Sequence, residues 1–250
     1  METVKERLQQ LTQKKNIYLV SSGNNALKQV VSLHKEKTFL IQDQGGWITY
    51  KQFPKKYIEV KTNYGLTQLY ELISKVSNDK TFLVNSMPGY FQIEDMDSII
   101  NICKNKCLVI NDVSGSLGKK QAGYGDIVVG SFGKDKAVNL GYGGFIASDS
   151  NLEIEETFDN SYLEQLNEKI KKLKKRLNSI EKKIEKIKED LKKFKLINKQ
   201  GLNIAVIYNT EEEKQSIINY CKDKYEYVEC PKYIKILEKA ISIEVKRISF

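Results

Sequence analysis

Seven short apolar runs, each continuous rather than alternating, constrain this chain more than any other feature. They are Ile17–Val20, Thr38–Gln42, Tyr57–Lys61, Thr81–Val84, Cys107–Asn111, Asp126–Gly130 and Gly144–Ala147. A strand that is apolar on both sides must be covered on both faces, which is the situation in a mostly parallel sheet. Helical patterns at Asn25–His34, Leu66–Val76 and Asp95–Lys104 fall between the runs. Strand–helix alternation of this kind predicts an α/β fold: a mostly parallel seven-stranded sheet with helices on both faces. Residues 2–15 add an amphipathic helix with Val4, Leu8 and Leu11 on one side. We expect residues 1–150 to form one large α/β domain.

Residues 162–196 follow a different rule. Leu163, Leu166, Ile170, Leu173, Leu177, Ile180, Ile184, Ile187, Leu191 and Phe194 recur at three–four spacing, with no proline or glycine among them. The pattern predicts one long helix of about 34 residues, about 50 Å in length. Its seam suits either a coiled coil or a stripe laid along the body of its own subunit. We assign 151–197 to this connecting segment. After it, Leu202–Tyr208, Tyr225–Glu229 and Ile241–Ile248 read as strands and Glu211–Lys224 as a helix. Residues 198–250 are thus expected to be a small α/β domain, too small to stand without support from the rest.

The formal net charge of +9 is almost entirely lysine, because the only arginines are Arg7, Arg176 and Arg247. Lysine is densest between Lys169 and Lys195, as on a solvated helix face. Without an arginine cluster there is no set of bidentate phosphate or base contacts, which argues against nucleic acid as a partner. Cys103, Cys107, Cys221 and Cys230 and the single His34 have no zinc-ligand spacing, so no metal is expected. The N-terminus lacks an apolar signal core, and no apolar run reaches the ~20 residues of a membrane helix. The expectation is a cytoplasmic protein with reduced thiols and no membrane partner.

Four features fall where the runs end, the place where open α/β sheets bind ligands. Ser22-Gly23-Asn24 turns from strand into helix. Such a helix N-terminus holds phosphate through its free amides, although Ser22 or Asn24 could equally be a plain cap. Asp112 ends its run, where a carboxylate could pair with a protonated ring nitrogen or simply form the turn before Ser114-Gly115. Trp47, the only tryptophan, follows Gly45-Gly46 and could stack on a flat ring or fill core. Ser131 and Lys136 follow the sixth run; Lys136 is the candidate nucleophile and Lys134 its competitor. Asp126 reads as structural, at the edge of its strand. One ligand makes the four a set: pyridoxal phosphate has a phosphate, a ring nitrogen, a flat face and an aldehyde with which Lys136 could form a Schiff base.

The segments Asn111–Gly118, Gly123–Ile127, Ser131-Phe-x-x-x-Lys136 and Gly141-x-Gly-Gly144 resemble, in order, the large domain of the DegT-like (StrS-type) sugar aminotransferases, which are fold-type I pyridoxal-phosphate enzymes. Met87–Tyr90 with Glu94–Asp97 is similar to the segment before that family's aspartate strand. The resemblance implies that Lys136 carries the cofactor, that Asp112 meets its ring nitrogen, and that Ser131, Gly23 and Asn24 hold its phosphate. It places Trp47 over the ring. It further implies a homodimer and an amino transfer between a small-molecule donor such as glutamate and a nucleotide-linked keto-sugar. The chain departs from the family at Gly115, where a glutamine is expected, at Tyr142, where a glutamate is, and at Asn24, where a threonine is. It is also much shorter than a typical member. These departures leave a second reading open: a non-catalytic relative that acts as an oligomerisation or interaction module through its heptad helix.

Overall fold

The computed structural model describes residues 2–248. Met1 and the last two residues of the expected C-terminal domain lie outside them. All seven continuous apolar runs become strands of one sheet: β1 (Asn16–Val20), β2 (Thr38–Gln42), β3 (Tyr57–Val60), β4 (Lys80–Asn85), β5 (Leu108–Asp112), β6 (Ile127–Ser131) and β7 (Gly144–Ser148). Their order is β3-β2-β4-β5-β6-β7-β1. Strands β2 to β6 pair in parallel, while β7 runs antiparallel to both β6 and β1.

Side chains alternate across this sheet, and each face has its own cover. Phe39, Ile41, Leu83, Ile110, Val129 and Ile146 pack with α2 (Gly23–Leu33). On the other face Leu40, Phe82, Val84 and Val109 pack with α3 (Leu69–Lys75) and α4 (Met96–Cys103). Farther along that face, Leu19, Val128, Phe145 and Ala147 meet α1 (Val4–Thr12) and the long helical segment. Two-sided burial is what the continuous runs required, and β3 is the exception, an edge strand with Tyr57 and Ile58 exposed. Leu66 and Thr67, expected to open α3, instead form a two-residue ribbon with Thr62 and Asn63, and the helix starts at Leu69.

The long helix is shorter than expected and is interrupted once. It runs as α5 (Leu163–Lys171) and α6 (Leu173–Asp190). Lys172, whose backbone sits at φ −84°, ψ −3°, joins the two. Leu191 and Phe194 continue the apolar pattern beyond the helix end, which is why the seam alone overstates the length. Leu166, Ile170, Leu173, Leu177, Ile180, Ile184, Ile187 and Leu191 are all buried against the chain's own core, beside Leu8, Leu117, Ile204 and Ile243. Each such side chain contributes about 1.5–3 kcal/mol when fully covered. The seam is a stripe on its own subunit, and none of those eight residues is left for a coiled-coil partner.

Beyond the helix, β8 (Lys195–Ile197), β9 (Ile204–Ile207), β10 (Tyr227–Cys230) and β11 (Ala240–Ile243) form an antiparallel sheet of order β8-β9-β11-β10. The sequence did not announce β8, and β11 stops five residues before the expected end because Val245–Arg247 coil into a 3-10 turn. Helix α7 (Glu211–Cys221) packs Ile217 and Cys221 into the main core. The opposite face of this sheet packs Ile197, Ala205, Cys230 and Ala240 on Phe91. Backbone bonds from Leu202 and Asn203 to the Tyr90 carbonyl, at 2.8 and 2.9 Å, fasten it to the larger sheet.

Candidate active site

The candidate cofactor and catalytic residues expected from the sequence line one cavity of about 350 Å³. Gly23, Asn24, Trp47, Asp112, Ser131 and Lys136 reach it from the carboxyl ends of β1, β2, β5 and β6. The small sheet supplies the far wall through Val228, Lys235, Glu244, Lys246 and Arg247.

Asp112 is 6% exposed and its carboxylate is fixed at both oxygens. Tyr50 donates its hydroxyl to Oδ2 at 2.7 Å, and the Ser114 amide donates to Oδ1 at 2.9 Å. Burial, and then the Asp112 charge, push the Tyr50 phenol well above its usual range, so it stays a donor. Beneath, Asn85 gives its backbone N–H to Gln42 Oε1 and its side-chain amide to the Gly45 carbonyl. Gln42 in turn donates to Glu94, which also accepts both the amide and hydroxyl of Thr67. This buried lattice fixes the ends of β2 and β4, and hence the glycines before Trp47. Gly45 needs its left-handed φ of +80°, and a Cβ there would meet Pro88 at 2.5 Å.

At the turn after β1, Ser22 caps α2 by accepting from the Asn25 amide at 3.0 Å. The plain-cap reading is therefore correct for Ser22, and it leaves the rest of the first turn bordering the cavity. An α-helix supplies no internal partners to its first amides, and they favour anions. A Cβ on Gly23 would stand 2.6 Å from Ser131 Cβ, so only glycine lets the turn and the end of β6 come together. Asn24 accepts from Trp47 Nε1 at 3.0 Å and so holds the indole at the cavity edge.

Lys136 Nζ donates to the Tyr90 hydroxyl at 2.7 Å and stands 4.8 Å from the Trp47 ring centre. Burial works to lower its pKa, but the Tyr90 oxygen and the Asp112 and Asp135 carboxylates outweigh it and leave the ammonium favoured. Lys134, the competitor, is exposed at the rim. Asp126 lies outside the cavity, accepting from the Val109 amide at 2.7 Å, as a structural residue would.

Tyr90 was not picked out from the sequence, and it accounts for one of the departures noted there. A Cβ on Gly115 would lie 2.9 Å from the Tyr90 ring and 3.1 Å from Met87 Sδ. Tyr90 thus occupies the space that a side chain at 115 would need. The other departures also have visible roles. Asn24 holds Trp47, while Tyr142 stacks on Tyr162 and accepts the Asp159 amide with its hydroxyl, anchoring the short 149–161 passage.

Comparison with solved structures then gives the architecture a context. The chain superposes on 3-amino-5-hydroxybenzoic acid synthase with a TM-score of 0.75 at 11% identity, over 97% of this chain and 85% of that one. A DegT/DnrJ/EryC1/StrS aminotransferase from Brucella abortus gives 0.76 at 10% identity, over 96% and 83%. Serine palmitoyltransferase from S. paucimobilis, with a bound PLP–myriocin aldimine, gives 0.72 at 15% identity, over 96% and 70%. This chain has their fold. No family model and no curated protein matches the sequence. Identities this low speak for the fold, so the chemistry rests on the cavity itself.

Lys235, Glu244, Lys246 and Arg247 were likewise missed. Their signal was present: Glu244 and Lys246 take alternate positions in Ile241–Ile248, a stretch that is apolar apart from them, Ser242 and Arg247. Two charges inside a buried run require partners. Glu244 accepts from Lys235, Ser242 and Asn203. Burial alone would raise its pKa, but the Lys235 and Lys246 ammoniums bring it down to about 2.

Proposed function

We propose that this chain is a pyridoxal-phosphate-dependent aminotransferase with Lys136 as the lysine that carries the cofactor. The observation that carries the reading is the placement of Lys136 and the fully engaged Asp112 carboxylate in one cavity, beside a glycine-bounded helix N-terminus. The lining fits the group. Gly23 leaves a cradle against Ser131 that a Cβ would close, and the first turn of α2 offers amides to a phosphate. Asp112 would face the ring nitrogen, Trp47 the ring, and Ser131 and Asn24 the phosphate. When bound, the cofactor supplies an electron sink for the substrate's amino-bearing carbon.

The protein's own part follows from its hydrogen bonds. Asp112 offers a charge that Tyr50 and the Ser114 amide hold in place. Lys136 must give up a proton before its nitrogen can act as a nucleophile, and afterwards it can carry a proton to and from the substrate. The Tyr90 hydroxyl, 2.7 Å away, accepts a hydrogen bond from Lys136 and holds its Nζ in place in the cavity. Burial raises the Tyr90 phenol and the Lys136 charge opposes that rise, so the hydroxyl remains protonated and polarised toward the lysine. The amino acceptor we propose is a small keto compound of the keto-sugar kind.

The test is spectroscopic. Protein mixed with pyridoxal phosphate is expected to absorb near ~420 nm and to lose the band on borohydride treatment. Lys136→Ala should abolish it and Lys134→Ala should not.

A further inference from the structure

Away from the cavity, the chain brings two of its four thiols together. Cys103 is the last residue of α4, and Cys107 immediately precedes β5. The residues between them, Lys104-Asn-Lys106, fold the backbone straight back. The Cys103 carbonyl accepts from both the Lys106 and the Cys107 amides at 2.9 Å, and Asn105 takes the left-handed φ of 60°. A turn closed twice in this way holds its ends within the roughly 4.4–6.8 Å that a disulfide spans between Cα atoms. Both side chains pack in the cluster that covers Phe82 and Val109. They differ in access. Cys103 is 1% exposed, whereas Cys107 is half-buried and flanked by the exposed Lys104 and Lys106.

We propose that Cys103 and Cys107 are a redox-active dithiol, a modification site at which a hydroperoxide closes an internal disulfide. Cys107 reacts first, because it is the thiol that solvent can reach and the one that loses its proton more readily. A hydrogen bond from the Cys103 side chain holds the Cys107 thiol below its usual range, helped by the Phe82 backbone and the Lys80 ammonium and opposed by burial and the Asp126 carboxylate. The same bond, with burial, pushes Cys103 up, so Cys103 keeps its proton until its partner has reacted. The other two thiols behave as structural ones: burial pushes Cys221 up to about 11 and raises Cys230.

The reaction balances with the hydroperoxide as the only oxidant. The Cys107 thiolate attacks one peroxide oxygen, the O–O bond breaks, and Cys107 becomes a sulfenic acid. The departing hydroxide takes the Cys103 proton and leaves as water. The Cys103 sulfur then attacks the Cys107 sulfur, the S–S bond forms, and the S–O bond breaks to release a second water. The two thiols lose two electrons and the peroxide gains them. Asp112 stands at the opposite end of β5, so the bond closes without entering the cavity. The proposal is independent of the amino-transfer reading.

The experiment is tryptic mapping of the full chain without reductant, after treatment with hydrogen peroxide and alkylation of the remaining thiols in urea. Trypsin cuts at Lys104 and Lys106, so the two cysteines part unless sulfur joins them. The expected result is a linked pair of peptides carrying Cys103 and Cys107, from a monomer two hydrogens lighter, which dithiothreitol separates. Before oxidation, Cys107 in the folded protein should alkylate at least about 10-fold faster than Cys221 or Cys230. Cys103→Ala should stop the reaction at a Cys107 sulfenic acid that dimedone captures, and Cys107→Ala should leave Cys103 unoxidised. The wild-type map decides the matter even if a variant fails to fold. Peroxide-treated wild type with the two cysteines unlinked, a link between two copies of the chain, or oxidation of Cys103 in Cys107→Ala would overturn the proposal.

Discussion

At the scale of single residues, the site separates charge from shape. Asp112 can be tested without disturbing its surroundings, because asparagine has the same outline and the Tyr50 hydroxyl can either donate or accept. We expect Asp112→Asn to stay within about 1 kcal/mol of wild-type stability in urea. Its single-turnover amino transfer should slow by roughly 100-fold or more, the scale of losing one preorganised electrostatic partner. Asp112→Ala should lose stability as well, since it strands two buried donors. Glu94 is a purely structural carboxyl. Burial raises its pKa to about 7, against the bonds from Thr67 and Gln42 that lower it. The folded state therefore binds this proton more tightly than the unfolded chain does. Its stabilising effect is complete below about pH 4.5 and is lost as pH rises through about 7. The loss should be on the order of 2–3 kcal/mol. Urea melts between pH 5 and 8 should show that slope in the wild type and little of it in Glu94→Gln.

At the scale of elements, the sequence was most readable where one physical demand governed a whole segment. Thr38–Gln42 was recognisable to the residue because its apolar centre Phe39–Ile41 is buried on both faces and the polar Thr38 and Gln42 mark its ends. The long helix was readable as a helix, but its end was not. Leu191 and Phe194 keep the apolar rhythm while the backbone has already turned. Lys195–Ile197 was invisible because three residues carry no period, and their pairing with β9 is decided by tertiary contact. The seam's burial also bears on the alternative reading as an interaction module, since the stripe that would have met a partner is spent on the chain's own core. Ile180→Ala should cost about 2–5 kcal/mol of stability. It should leave the sedimentation coefficient of the folded protein unchanged. A change in assembly state with little loss of stability would instead mean that the seam faces another subunit.

At the scale of the whole molecule, what the sequence concealed was convergence. Lys136 and Asp112 could be paired by eye because Asp112 ends one strand of the sheet and Lys136 follows shortly after the end of its neighbour. Tyr90 and Lys246 are separated from each other by most of the chain, and no local pattern links them. They meet because the Tyr90 carbonyl receives the Leu202 and Asn203 amides and so draws the small sheet over the cavity. Tyr90 itself sits at φ 68°, an uncommon setting for a tyrosine, just after Gly89 at φ 58°. That strained turn aims its ring between Lys136 and Lys246. Strain of this sort persists where surrounding contacts over-determine it, and it concentrates at working sites.

The central claim is that Lys136 binds a pyridoxal-type aldehyde in the cavity at the ends of β5 and β6. The most direct measurement is the visible spectrum of the purified full chain with added pyridoxal phosphate, before and after borohydride, for the wild type, Lys136→Ala and Lys134→Ala. The account predicts a band near ~420 nm in the wild type and Lys134→Ala, removed by borohydride and missing from Lys136→Ala. A wild type without the band, or a Lys136→Ala variant that retains it, would contradict the account.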